Sequence, residues 1–194
     1  MPQLHLPRLP QSRAWDTLAH SHFSVLQMFL FYALPLSVVP PAMIYFAGVV
    51  YGGTILPALS KMQLLSIGIA FFLAELAMTF LVAYIVLRLG EVVDLKIAHE
   101  DAYKLAVVIP TPLWLASLCL FVPSVILNIA AGATALMLSC ALIFYTVPAI
   151  LKVADRGSAR ILSNAILVAG ILASAAMMLL TILSWTFVTT SLFS

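Results

Sequence analysis

LAVVIPTPLWLASLCLFVPSVILNIAAGATALMLSCALIFYTVPAIL, residues 105–151, contains no Asp, Glu, Lys or Arg. At 1.5 Å of rise per residue, a hydrocarbon core of about 30 Å needs about 20 residues, so a run of about 47 is two membrane crossings. The fold point is predicted at Phe121-Val122-Pro123-Ser124, where Pro123 stops one helix and opens the next.

Three more apolar tracts surround this one, giving spans at about 23–50, 62–87, 105–121, 124–151 and 161–188. The composition agrees: 64% of the residues are hydrophobic and 8% charged, against roughly a quarter charged in a soluble domain. The sequence therefore predicts an all-α polytopic membrane protein. Residues 1–22 are expected to form a cytoplasmic or interfacial segment and 23–189 a single five-helix domain.

Charge placement tests the count independently. Lys and Arg beside a span favour the cytoplasmic side. With five spans Arg8, Arg13, Arg88, Lys96, Lys104, Lys152, Arg156 and Arg160 all fall on one side, and Lys61 alone on the other. A single span over 105–151 would separate Lys104 from Lys152. The N-terminus and both charged loops are thus expected in the cytoplasm and the C-terminal SLFS outside. The first tract is too long for the core of a cleavable signal and holds Pro35, Pro40 and Pro41. It is expected to stay in the mature protein, preceded by an interfacial helix with Trp15 at headgroup depth.

The spans are rich in interrupters: Pro35, Pro40, Pro41, Pro110, Pro112 and Pro148. The first is expected to kink at Pro40-Pro41, and Thr111, Ser117 and Thr146 are available to bond freed carbonyls. Such breaks suit either a transport site lined by unwound backbone or packing shape alone. Gly48-Val-Val-Tyr-Gly52 is a GxxxG, which serves self-association or packing within the bundle. Cys119 and Cys140 lie at different depths and are read as unbridged thiols.

One carboxylate, Glu75, stands about 13 residues from either end of the second span, near mid-bilayer. A charge there costs at least about 2.5 kcal/mol, so the side chain is expected to face the bundle. No Lys, Arg or His shares its depth. It is expected to be protonated and to donate a hydrogen bond to a carbonyl freed by Pro40, Pro110 or Pro112, or to Asn128 or Asn164. Glu75, Asn128 and Asn164 are the candidate intramembrane polar site, structural on one reading and a proton or cation site on the other.

The order of features in residues 102–151 resembles the core of the Yip family, five-span proteins named for interaction with Ypt/Rab GTPases, and especially its bacterial inner-membrane branch. The matching residues are Tyr103 before the third span, Thr111-Pro112 followed by Trp114, Pro123 at the turn, and Phe144 four residues before Pro148. Thr146 stands where the family often has glycine. The resemblance implies five spans and an inner-membrane location in a bacterial source.

No zinc, phosphate-binding or nucleophile-elbow motif occurs, and His20 and His22 diverge on a helix. No enzyme activity, cofactor or nucleic-acid partner is expected. Two readings remain: a non-enzymatic scaffold or adaptor that binds another membrane protein or lipid, and a small transporter or channel using Glu75 and the broken helices. Membrane lipids, a membrane-protein partner or a second copy are the candidate contacts of the bundle. Loops 88–104 and 152–160 are candidate surfaces for a cytoplasmic partner, with Val92, Val93, Leu95 and Ile97 a short amphipathic segment in the first.

Overall fold

The computed structural model describes residues 23–52, 59–153 and 155–190. The interfacial helix with Trp15, the His20/His22 pair and the SLFS tail lie outside the described residues. Within them there is no β-strand, and five helices are long and apolar enough to cross a membrane: α1 Val25–Tyr51, α2 Lys61–Val92, α3 His99–Phe121, α4 Val125–Ile150 and α5 Arg156–Thr190.

Local sequence explains where they begin. Ser24-Val-Leu-Gln27 and Ser60-Lys-Met-Gln63 are reciprocal capping boxes, each serine accepting from the Gln backbone N–H while the Gln side chain accepts from the serine N–H. Ser124 caps α4 by accepting from Leu127 N at 3.3 Å. Asp155 accepts from Ser158 N at 2.7 Å at the start of α5; that bond, with a lesser one from Gly157, holds its carboxyl below the usual carboxylate range.

Proline decides where the helices break. In α1 the ladder widens to a π turn over Phe29–Ala33, with Leu34 N donating to Phe29 O, just ahead of Pro35. A second discontinuity falls at Val38, and Val39–Tyr51 then starts with Pro40 and Pro41 in its first turn. The irregularity thus begins at Phe29, about three turns before the Pro40-Pro41 pair that the sequence singles out. In α3 the helix breaks at Pro110, resumes over Thr111–Ala116 and tightens to a 3₁₀ turn over Ser117–Phe121.

The hydroxyls bond carbonyls near those that proline deprives, one or two residues away. Pro110, Pro112 and Pro148 leave Ala106, Val108 and Phe144 without their i+4 donors. Thr111 Oγ1 donates to Val107 O at 3.1 Å and Thr146 Oγ1 to Leu142 O at 2.7 Å. Thr146 is fully buried, so α4 packs closely with a threonine at that position.

α2 is the central helix and packs against α1, α3 and α5. Gly48 of the GxxxG meets the Leu64 side chain, which places that glycine in the α1–α2 contact. The densest core lies where the charged loops turn: Val86, Leu105, Val147, Ile150, Leu162 and Ile166 are buried together, with Leu95, Ile97 and Val153 packed against them. Both charged loops therefore sit at one end of the bundle. Leu95 and Ile97 of the amphipathic segment are turned into that end, and Val92 is left exposed.

At the other end α1 is pinned to α3 by Tyr51, whose hydroxyl donates to Phe121 O at 2.6 Å, and by Phe46 stacked edge-on against Phe121 at 5.0 Å. Between the two ends the helices enclose a cavity.

Candidate intramembrane site

The cavity holds about 450 Å³ and takes its walls mainly from α2, α3, α4 and α5, with Pro40 and Ile44 from α1. Its floor is the dense core at Ile109, Ile143 and Leu167; exposed Leu136, Ile171 and Met178 form its outer rim. Nearly all of its surface is apolar. Such a volume lies within the range of small-molecule pockets, about 300–1,000 Å³.

Glu75 enters from α2. Its helix face also carries Phe71, Met78, Thr79 and Val82 into the same cavity, following the three- and four-residue spacing of one helical face. The residue is 9% exposed. The Trp114 side chain lies beside its carboxyl, and Oε2 is buried with no hydrogen-bond partner. On α4, Ser139 is 4% exposed and its Oγ likewise has no partner. The other hydroxyls lining the cavity are used within their own helices: Thr79 donates to Leu76 O at 2.8 Å, Ser117 to Trp114 O at 2.6 Å, Ser174 to Gly170 O at 2.9 Å and Thr181 to Met177 O at 2.8 Å.

The structure brings two of the three polar candidates to this cavity and not the third. Asn128 lines it, but its Nδ2 is occupied by Val122 O at 3.1 Å and Ser124 O at 2.8 Å, which closes the α3–α4 turn. Asn164 is exposed on α5 and does not line the cavity. Pro40 and Pro110 line it too, yet the polar side chain beside the Glu75 carboxyl is Trp114. The sequence held that signal, because a buried tryptophan normally finds an acceptor for its one N–H.

The remaining motif residues build the frame. Tyr103, 1% exposed, packs on Phe80 at 5.1 Å, and its hydroxyl lies beside Thr79. Thr111 Oγ1 is 2.8 Å from Tyr32 Oη and ties α3 to α1. Pro112 stands in the first turn after the α3 break, Pro123 in the α3–α4 turn, and Pro148 inside α4. Phe144 is exposed on the outside of α4. Cys119 and Cys140 are both free and half-buried, and no three His, Cys, Asp or Glu side chains converge among the described residues.

A family model described as the Yip1 domain matches residues 7–192. Neither a curated relative nor a solved structure matches the chain.

Proposed function

The chain belongs to the Yip1 domain family, and from that membership we propose that it is a non-enzymatic scaffold or adaptor of the membrane, binding another membrane protein or lipid through its bundle and a soluble partner through its loops. Its N-terminus and both charged loops face the cytoplasm, its C-terminus lies outside, and residues 23–189 act as one five-helix unit. In a bacterial source the membrane is the inner one.

The observation that carries the reading is the shared end of the two loops. Leu95, Ile97 and Val153 anchor them in one core, and Glu91, Asp94, Lys96, Lys152 and Arg156 remain exposed around it. A mixed-sign face on a rigid mount suits a protein surface better than an anionic bilayer, which selects for clustered basic residues. A photo-crosslinking amino acid at Lys96 or Arg156, expressed at native level, is expected to yield a discrete protein adduct that disappears when Lys152 and whichever of Lys96 and Arg156 does not carry the crosslinker are changed to Glu. Background labelling alone would count against the proposal.

The buried acid favours one other reading, a small transporter or channel that uses Glu75 and the proline-broken helices. Glu75→Gln separates the two. It keeps the volume and a polar amide, so the adaptor reading expects a folded protein with an unchanged cellular phenotype. A folded Glu75→Gln protein that behaves as a deletion would favour transport.

A further inference from the structure

We propose that the cavity between α2, α3, α4 and α5 binds a lipophilic amine, its ammonium on Glu75 and Ser139 and its apolar body along α4 and α5. The inference does not rest on the adaptor reading.

Three observations lead to it. The first is the wall: about 450 Å³ of nearly apolar space, enough for roughly 15 waters by volume, yet a lining that offers water few partners. The second is the pair of unused acceptors. Glu75 Oε2 and Ser139 Oγ are both buried without a hydrogen-bond partner, on helices that face the same space. Buried polar atoms are normally satisfied, so two on one cavity mark a place where a ligand supplies the donors.

The third is charge. Among the described residues the lining contains no Lys, Arg or His, and Cys140 is its only titratable group besides Glu75. A phospholipid headgroup would bring a phosphate with no cation to receive it. A fatty acid would set a second carboxyl against Glu75. An alcohol gives one hydrogen bond and no counter-charge. A free amine that takes up the Glu75 proton becomes an alkylammonium with three donors, no acceptor and one positive charge, which answers both open acceptors and pairs with the carboxylate left behind.

Gly132 supplies an independent handle. It lines the cavity, and a Cβ built on it meets no atom within 4 Å. A larger side chain there takes up cavity space from α4 and leaves the Glu75 carboxyl of α2 chemically unchanged.

The test uses the full chain in phosphatidylcholine nanodiscs with Trp15→Phe and Trp185→Phe, so that Trp114 fluorescence reports the cavity. Decylamine and decanol are titrated at neutral pH against protein-free discs. A saturable Trp114 response is expected with the amine, and at least about ten times more alcohol should be needed. Glu75→Gln is expected to erase that preference, and Gly132→Leu to remove the response to both. Equal responses to amine and alcohol, an amine preference intact in Glu75→Gln, or amine binding unchanged in Gly132→Leu would each overturn the proposal. The Gly132 arm decides even where Glu75→Gln fails to fold.

Discussion

Asp101→Ala is expected to destabilise the folded bundle by on the order of 3 kcal/mol. Lys104 Nζ lies 3.1 Å from Asp101 Oδ1 across one turn at the start of α3, and the lysine side chain is only 3% exposed. Removing the carboxylate leaves a buried ammonium without that counter-ion. It also removes a negative charge from the first turn of a helix, where the backbone dipole favours one. Lys104→Met keeps the volume and removes the need for a partner, so its cost should be much smaller. Thermal unfolding in a mild detergent reads the difference. Equal losses from Asp101→Ala and Lys104→Met would show that the pair is not what holds this turn.

Trp114→Ala is expected to cost a similar amount, about 3 kcal/mol. The side chain is 2% exposed and forms a wall between the cavity and the cluster of Met28, Ala83, Tyr103 and Val107. Its loss enlarges an existing cavity and takes away the polar side chain beside Glu75. Trp114→Phe retains most of the ring and loses the N–H alone, so about 1 kcal/mol is expected. Within a Glu75→Gln background the Trp→Phe cost should change, because the two side chains meet; strict additivity would contradict the contact.

The five helices were legible because span length and charge side are one-dimensional properties. Residues 105–151 had to fold back at Pro123 whatever the neighbours did, and the α3–α4 turn lies there. The ends of helices were less legible. Hydropathy starts the third span at Leu105, whereas α3 begins at His99, because a Lys104 neutralised by Asp101 can be buried inside a helix. Likewise α5 starts at Arg156, ahead of the apolar run, on the cap that Asp155 provides.

The candidate site was half legible for a related reason. Sequence gives the depth of a polar residue but not the rotation of its helix. Glu75 and Asn164 both lie within apolar helices, yet one faces the cavity and the other the outside. In the sequence Ser139 reads as the last of three small residues spaced four apart, Ala131, Ala135 and Ser139, a helix-packing ridge; only the packing of α4 against its neighbours leaves its hydroxyl without an acceptor or donor. The cavity itself arises where the prolines of α1 and α3 and the small residues of α4 and α5 fail to fill the space, a property of several helices together.

The account rests on five crossings that put both charged loops on one side. Single cysteines at Lys96, Arg156 and Val122, in a chain lacking Cys119 and Cys140, test this directly with a membrane-impermeant maleimide on sealed, oriented vesicles. The structure predicts that positions 96 and 156 label from the same face and position 122, exposed at the α3–α4 turn, from the other. Labelling of 96 and 156 from opposite faces would contradict it.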